Sequence, residues 1–399
     1  MSTTLINTLL PISAAVYIAA ALIFLIGLRR RKRRADAHAF PFVSVVIAAR
    51  NEAGYIGDCL EGLAGQSYPA DRYEVLVVDD GSTDETAQIV ARYAVEYPHI
   101  RSIQVTDAFQ HMAAKKRPLS EGIRAARGPI ILTTDADCSV PATWVSGMVS
   151  QLEAGADVVI GFSQVKTAGD RLTPAERIQA FDFLALMCAS AGAANLGIPL
   201  AASGQNLAYR KALFERVGGF ERIAHCPSGD DVLLLQLFRR AGAKIAFADH
   251  PRTYVSTRRA ESMAGFWTQR RRWASNARNM AALNPLFFLY LANVFLLNLL
   301  IPAGIILGIG KNAFGLPLSC LAGKTLADLA VVWTGARLFG RTDLLPVLPV
   351  WELLQVPYTT LVGLFGSFGS FVWKGRTHRA RQAGSLKEGI FSRCGLRLR

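Results

Sequence analysis

The sequence predicts an α/β domain with a mostly parallel sheet, set between transmembrane helices at the N-terminal and C-terminal ends of the chain. Three observations support this fold class. Hydrophobic residues make up 51% of the 399 residues, and the mean hydropathy of +0.26 is high for a water-soluble domain. Long stretches with little or no charge lie toward the two ends. Between them, residues 41–250 alternate short β-branched runs with helical patterns, which is typical of a parallel sheet covered by helices.

Residues 1–40 are predicted to be a membrane anchor followed by a basic juxtamembrane segment. Leu5–Leu28 contains no charge and is long enough to cross a bilayer core of about 30 Å as a helix. No basic residue precedes it and no small-residue cleavage site follows, so an anchor is favoured over a cleaved signal peptide. The six cations of Arg29–Arg34 come next, and the positive-inside rule puts them in the cytoplasm.

Residues 41–260 are predicted to form the cytosolic α/β domain. Helical patterns occur at 84–97 and 118–127, between the runs that predict strands. Five strands are predicted, at Val43–Ala49, Glu74–Val78, Ile100–Val105, Ile130–Thr134 and Asp157–Gly161. Ligands bind at the carboxyl ends of the strands in such a sheet, so polar residues at these ends are the candidates for function.

The C-terminal part is predicted to return to the membrane. Residues 261–284 predict an interfacial helix, and residues 285–373 predict transmembrane helices. The helices are predicted at Pro285–Gly310, Leu316–Ala336 and Leu344–Trp373. Lys324 and Asp328 are four residues apart in the second of these segments and can neutralise each other on one helix face.

The basic tail, residues 374–399, sets a condition on the topology. If all three C-terminal segments cross the membrane, the tail lies outside, against the positive-inside rule. We expect a cytosolic tail, which requires Leu316–Ala336 to be re-entrant or interfacial. The chain is then expected to be an integral protein of the bacterial inner (cytoplasmic) membrane with its α/β domain in the cytosol.

The charge distribution argues against a nucleic-acid partner. The formal net charge is +14, and two short segments, 29–34 and 374–399, carry 13 of these charges. The rest of the chain is nearly neutral, whereas a nucleic-acid footprint patterns a folded surface with basic residues. The six cysteines contain no C-x-x-C pair, so we expect reduced packing cysteines in a cytosolic setting.

Acidic residues follow three of the predicted strands. They are Glu52 after the first, Asp79, Asp80 and Asp84 after the second, and Asp135 and Asp137 after the fourth. Each group alone is also explained by turn or helix-capping chemistry, and an isolated D-x-D is common on surfaces. Together they predict a site in which paired carboxylates hold a divalent cation against a diphosphate. No P-loop and no strand-linked G-x-G-x-x-G occurs, which disfavours those nucleotide-binding classes.

Three further motifs contain candidate residues. Lys115, Lys116 and Arg117 precede the fourth strand and are candidates for phosphate contacts or for a solvated basic loop. Ser228–Asp231 precedes an apolar helix, where an acid can be an N-cap or a general base. Gln269–Trp273 reads Q-R-R-R-W among aromatic residues, which fits an interfacial anchor as well as a functional motif.

These motifs, taken in order, resemble those of the GT-A-fold glycosyltransferases of family 2, and specifically of the membrane-integrated members. That group includes cellulose, chitin and hyaluronan synthases, ceramide glucosyltransferase and bacterial lipid or carotenoid glucosyltransferases. The motifs are VSVVIAARNE, VLVVDDGSTDET, LTTDADC, SGDD and QRRRW, and they extend from about Val43 to Trp273. The resemblance implies a GT-A catalytic domain that binds a UDP-sugar donor.

The resemblance also implies roles for individual residues on the donor side. Asp135 and Asp137 match the pair that holds Mg²⁺ or Mn²⁺ with the diphosphate. Ala49, Glu52 and Asp80 match the uridine-binding part, and Lys115 matches a family lysine, with Pro118 as an unusual neighbour. Residues matching Q-x-x-R-W, which closes over the diphosphate in relatives, are Gln269, Arg272 and Trp273.

On the acceptor side, Asp231 matches the family's catalytic base. Asp230 stands where relatives have Glu, and Gly204, Gln205 and Asn206 match a loop near the acceptor. The implied reaction inverts the anomeric centre, with glucose as the default sugar.

The acceptor is not given by these motifs. Few membrane segments follow the catalytic domain, so a sealed polymer channel would need a partner or a homodimer, and a lipophilic membrane acceptor is favoured. The alternatives are a processive polysaccharide synthase of the hyaluronan, chitin or poly-N-acetylglucosamine type and a non-catalytic membrane scaffold. A non-catalytic scaffold would be expected to have lost the acids of the motifs, so it is disfavoured by the presence of Asp80, Asp135, Asp137 and Asp231.

Overall fold

A computed structural model describes residues 3–30, 40–165, 172–260, 262–309, 313–368, 370–373 and 376–379. The predicted basic segment at 29–34 and the predicted tail at 374–399 therefore lie largely outside the described residues. Its α-helices are α1 (Thr3–Arg29), α2 (Ile56–Ala64), α3 (Thr86–Glu96), α4 (Lys116–Ala125), α5 (Trp144–Glu153), α6 (Pro174–Asn195), α7 (Lys211–Arg216), α8 (Val232–Arg240), α9 (Met263–Ala274), α10 (Ala277–Leu283), α11 (Pro285–Ile309), α12 (Gly315–Phe339) and α13 (Leu348–Phe368). Its strands are β1 (Val43–Ala49), β2 (Tyr73–Asp79), β3 (Ile100–Gln104), β4 (Ile130–Asp135), β5 (Val158–Gly161), β6 (Ser163–Val165), β7 (Leu207–Arg210), β8 (Ile245–Ala248), β9 (Val255–Thr257), β10 (Ser370–Trp373) and β11 (Arg376–Arg379).

The described residues divide into two compact units. The sheet unit contains residues 40–165 and 199–258 with strands β10 and β11, and the membrane unit contains residues 3–30, 172–198 and the described part of 259–368. The sequence predicted one contiguous domain at 41–260. In the structure, residues 172–198 from the middle of that range group with the apolar helices instead. Within the membrane unit, α6 is buried along most of its length, because apolar and small residues cover nearly all its faces.

The sheet unit is organised around a seven-stranded sheet in the order β3-β2-β1-β4-β7-β5-β8. All neighbouring pairs are parallel except those that β7 makes with β4 and β5. Every residue of β2 is buried and β1 is nearly so, since their continuous apolar runs are covered on both faces. A mostly parallel sheet with helices confirms the predicted fold class.

The register of the central strands sets the geometry of the candidate site. Ala49 at the end of β1 lies opposite Asp79 at the end of β2, and Ala48 lies opposite Asp135 at the end of β4. Three parallel strands therefore end at one edge, and the loops that follow them lie side by side. The acidic groups predicted from separate parts of the sequence share this edge.

The membrane unit contains the helices that are long and apolar enough to cross a bilayer. Four such helices occur among the described residues, at Thr4–Arg29, Pro285–Ile309, Gly315–Phe339 and Thr342–Gly366. The third covers the predicted 316–336 segment as one continuous helix, so it does not have the broken backbone of a re-entrant loop. The predicted last span, 344–373, ends earlier than expected because residues 370–373 pair as a strand with residues 376–379.

Polar contacts and close glycine contacts hold these helices together. Lys324 is fully buried and its ammonium group lies 2.8 Å from carboxylate oxygens of both Asp328 and Glu352, so the predicted 324–328 pair forms. A side chain at Gly27 would place its Cβ only 1.8 Å from the Gly192 carbonyl oxygen. Helices α1 and α6 therefore meet backbone to backbone, as small residues allow in membrane helix pairs.

Candidate active site

The loops after β1 and β2 are locked together by hydrogen bonds. Asn51, which has φ of 53°, accepts from the Thr83 amide at 2.8 Å, and its own amide donates to the Ser82 hydroxyl at 3.0 Å. The Glu52 amide donates to the Thr86 hydroxyl at 2.8 Å. These contacts hold the predicted uridine-binding residues on a rigid edge of the sheet.

Asp79 and Asp80 have different surroundings although they are adjacent. Asp79 accepts from the amide and the hydroxyl of Ser82, so its carboxylate closes the turn. The Asp80 carboxylate is buried and lies 3.6 Å from Arg50 and 3.4 Å from Arg117. Its amide donates to the Ala49 carbonyl at 2.9 Å. Arg117, which was a candidate for phosphate contact, therefore contacts Asp80.

Asp135 and Asp137 form the candidate metal site at the end of β4. Their carboxylates and the Cys138 sulfur have ligand atoms within 4.8 Å of one another. Both carboxylates are partly exposed, whereas Cys138 is buried, and burial raises the pKa of its thiol well above the ordinary value. A protonated thiol is a poor partner for a hard cation, while two carboxylates suit Mg²⁺ or Mn²⁺. The donor set thus fits the predicted metal through the two aspartates alone.

Lys115 connects the metal site to the acidic pair before α8. Its ammonium group donates to the Asp135 carboxylate and lies 3.8 Å from the Asp230 carboxylate. Burial disfavours the charged amine, but these two carboxylates outweigh it and hold the pKa of Lys115 above its ordinary value. The site therefore contains a fixed positive charge between its two acidic clusters.

The neighbouring lysine points elsewhere. Lys116 is 1% exposed and donates to the carbonyls of Cys226 at 2.6 Å and Ser228 at 3.0 Å. It holds the loop that contains Asp230 and Asp231. Of the three basic residues that precede the fourth strand, only Lys115 has its charged group at the metal-site carboxylate.

Asp231 both caps a helix and has the properties of a base. Its carboxylate accepts from the amide of Val232 at 2.5 Å, at the start of α8, and from the amide of Gly204 at 3.0 Å. Burial and the neighbouring Asp230 carboxylate raise the pKa of Asp231 to about 6. The capping alternative is therefore correct and leaves the base hypothesis intact, because the shifted pKa is closer to neutral.

In the predicted acceptor loop, Gln205 is partly exposed, whereas Gly204 and Asn206 are buried. Gly204 packs beside Asp230, 3.3 Å separating the carboxylate from a Cβ built on the glycine. Gln205 donates to the Thr257 hydroxyl at 2.8 Å. Asn206 is fully buried and bonds the Phe162 carbonyl, the Thr253 carbonyl and the Trp144 indole. Its side chain therefore holds the loop in place, and the assignment of the loop to the acceptor stays a prediction.

The Q-x-x-R-W motif lies on α9 in the membrane unit. Ser262 caps this helix by accepting from the Gly265 amide at 3.1 Å. Gln269, Arg272 and Trp273 are each partly exposed, whereas Arg270 between them is buried. The helix thus keeps the three matched residues partly accessible and turns one arginine of the motif inward.

The fold and the acidic edge of the sheet define a GT-A type α/β domain. The sequence model described as Glycosyl transferase family 2 matches residues 44–218 of the chain. Among solved structures, the chain is similar to the mannosyltransferase PcManGT from Pyrobaculum calidifontis in complex with GDP-Man and Mn²⁺. The TM-score is 0.55 at 21% identity, covering 90% of this chain and 99% of that one, which supports the fold.

Curated relatives match over shorter stretches. Glycosyltransferase AglE of Haloferax volcanii is 34% identical over 208 residues, which is 52% of this chain and 64% of that protein. Beta-monoglucosyldiacylglycerol synthase of Nostoc sp. is 36% identical over 100 residues, 25% of this chain and 21% of that protein. The chain thus spans less than two thirds of the length of these relatives.

Proposed function

We propose that this chain is a membrane-integrated, inverting glycosyltransferase that moves glucose from UDP-glucose to the hydroxyl group of a lipid-type acceptor. The observation that carries the proposal is the position of Lys115 between Asp135 and Asp230. Through it, a carboxylate suited to a divalent metal and the acidic pair that contains the candidate base belong to one site. A nucleotide-sugar transferase needs both functions around one reacting carbon.

The chemistry assigned to the residues is a single displacement. Asp231 accepts the proton of the acceptor hydroxyl, whose oxygen forms a bond to the anomeric carbon as the bond from that carbon to UDP breaks. Lys115 stays protonated and stabilises negative charge on the leaving diphosphate. A divalent cation held by Asp135 and Asp137 would neutralise further charge on that group. In-line attack gives a β-glycoside from an α-linked donor.

The donor-side assignments follow the same reasoning. Asp80, beside Ala49 and Glu52, is assigned to the nucleoside because these loops are rigid and end at the acidic edge. Gln269, Arg272 and Trp273 are assigned to the diphosphate and the acceptor end by their match to the family motif. The GDP-Man and Mn²⁺ bound by PcManGT are consistent with a metal-assisted nucleotide-sugar reaction.

The lipid acceptor is supported by the membrane unit and by the match to the monoglucosyldiacylglycerol synthase. We place the protein in the bacterial inner membrane, with the sheet unit in the cytosol. A processive polysaccharide synthase is the second candidate, and it would require a homodimer or a partner to complete a channel. A non-catalytic scaffold is disfavoured because the carboxylates and Lys115 form a connected cluster.

The deciding experiment incubates membranes that contain the protein with labelled UDP-glucose, other labelled UDP-sugars and GDP-mannose, each with Mg²⁺ or Mn²⁺. We expect label from UDP-glucose in the organic phase, with one sugar per lipid. Label in a long water-soluble polymer would favour the polysaccharide synthase. No nucleotide release from any donor, with lipid extract present, would contradict the enzyme assignment.

A further inference from the structure

A buried ion pair joins the motif helix α9 to α6 within the membrane unit. The Arg270 guanidinium lies 2.5 Å from the Asp182 carboxylate, and both side chains are less than one-tenth exposed. Each charge has lost its water, so each depends on the other for compensation. Arg270 directly follows Gln269, which places the pair inside the Q-x-x-R-W motif.

Aromatic rings on the same helix enclose the arginine. The guanidinium carbon is 4.7 Å from the centre of the Phe266 ring and 4.1 Å from that of Trp273. These residues are four before and three after Arg270, so they share its helix face. Such contacts between a cation and a ring are strong when water is excluded. The position of Trp273, a motif residue, is therefore linked to that of Arg270.

The partner helices hold this face of α9 from two directions. Trp351 on α13 donates its indole N–H to the second Asp182 oxygen at 3.4 Å. The Phe266 ring stacks on Tyr358 of α13 with centres 6.0 Å apart, and Trp273 packs against Phe183 of α6 at 6.1 Å. Asp182 thus joins three helices, and α9 cannot rotate about its axis without breaking these contacts.

The rotation of α9 matters because successive residues point about 100° apart around a helix. With Arg270 turned inward, Gln269 and Arg272 are left partly exposed. We propose that Arg270 and Asp182 are positioning residues that set the rotation of α9 and thereby the orientation of Gln269, Arg272 and Trp273, the motif residues assigned to the donor. This role rests on the proposed function of the motif, but the geometry of the pair does not.

The test uses full-length protein in nanodiscs and four variants: Asp182→Asn, Arg270→Gln, the double variant of both, and Arg270→Lys. The matched control is Asp328→Asn, which removes another buried carboxylate of the membrane unit that is paired with Lys324. Hydrogen exchange of residues 262–275 reports the order of α9. Release of nucleoside diphosphate measures turnover. The apparent dissociation constant for Mg²⁺ or Mn²⁺, hereafter the apparent metal constant, shows whether the candidate metal site in the sheet unit is intact.

We expect each single neutral variant to speed exchange in residues 262–275 and to lower kcat/KM for the nucleotide sugar at least tenfold. The double variant should be less impaired than either single one, because it leaves no uncompensated charge. Arg270→Lys, which keeps the charge and loses the planar fork, should fall between wild type and Arg270→Gln. The apparent metal constant should stay within twofold of wild type throughout.

Unchanged exchange in Asp182→Asn, or the same change in Asp328→Asn, would overturn the positioning role. Loss of turnover with unchanged α9 exchange would do so as well. If wild-type protein uses no nucleotide sugar, the proposed function fails, and the exchange measurements alone then decide whether the pair orders α9.

Discussion

The Gly204 amide donates a 3.0 Å hydrogen bond to the Asp231 carboxylate. This bond ties the loop between α6 and β7 to the start of α8, so that the candidate base is held by two segments far apart in the sequence. A base held in this way keeps one orientation, which is what proton abstraction from a bound hydroxyl requires.

Replacing Asp231 by Asn should remove the base and preserve the fold. Asn is as good an N-cap as Asp, so α8 keeps its first hydrogen bonds. We expect kcat to fall about 10²- to 10⁴-fold, with nucleotide binding largely unchanged. Initial rates of nucleotide release and binding of labelled UDP measure the two effects. Full activity in Asp231→Asn would eliminate this residue as the base.

The pH dependence follows from the pKa of Asp231, which burial and Asp230 raise to about 6. A base works only when deprotonated, so kcat/KM should be constant above the pKa and fall about tenfold per pH unit below it. The acid limb should bend near pH 6 at saturating metal. A bend near pH 4, where ordinary carboxyl groups titrate, would show that Asp231 does not control the rate.

Replacing the adjacent residues Lys115 and Lys116 should have different effects, the first on activity and the second on stability. Lys115→Met removes the cation between Asp135 and Asp230, so we expect kcat/KM to fall on the order of 100-fold with little change in Tm. Lys116→Met leaves the carbonyls of Cys226 and Ser228 unpaired and should lower stability by about 1–3 kcal/mol. Thermal unfolding and nucleotide release separate the two.

A suitable control for both lysine variants is Lys211→Met, which removes a partly buried hydrogen bond to the Ala126 carbonyl. Its activity should stay close to wild type. Equal loss of activity in Lys115→Met and Lys211→Met would contradict a specific role for Lys115.

Metal removal should abolish transfer, and Mg²⁺ or Mn²⁺ should restore it. Asp137→Asn should raise the apparent metal constant at least tenfold because one of two carboxylate ligands is lost. Cys138→Ala should leave that constant within twofold of wild type, since burial keeps the thiol protonated. Metal titration of nucleotide release tests both. A large change in Cys138→Ala would place the sulfur among the ligands.

The contact between α1 and α6 gives a prediction for stability. A Cβ at Gly192 would lie 2.4 Å from the Phe24 carbonyl oxygen, so Gly192→Ala forces the helices apart. We expect a loss of about 1–3 kcal/mol, measured as thermal unfolding in detergent. Gly315→Ala is the control, because nothing lies within 4 Å of its Cβ position. Equal Tm values for the two variants would contradict the close contact.

Much of the sheet and of the site is visible in local sequence patterns. Continuous apolar runs predicted β1 and β4 within one or two residues, because strands buried on both faces need such runs. Asp80, Asp135 and Asp137 could be selected because parallel strands end at one edge, and polar residues just beyond these ends share it.

Other features depend on contacts between distant residues. Lys115 and Lys116 look alike in the sequence, yet the second is buried against carbonyls 110 and 112 positions away. Asn206 was assigned to a loop near the acceptor, and its burial depends on three partners, Trp144, Phe162 and Thr253, that lie far from it in the sequence. The sequence alone does not show which arginine of the motif is buried. The structure shows that it is Arg270, because Asp182 compensates its charge.

The sequence by itself determined the class of fold, the apolar helices and the acidic residues at the strand ends, since each depends on a local periodicity or on one strand end. The tertiary structure alone decided that β7 enters the sheet antiparallel, that residues 172–198 join the membrane unit and that Lys115 bridges two acidic clusters. The physical reason is that burial and charge compensation are properties of the space around a side chain, and that space is filled by residues remote in the chain.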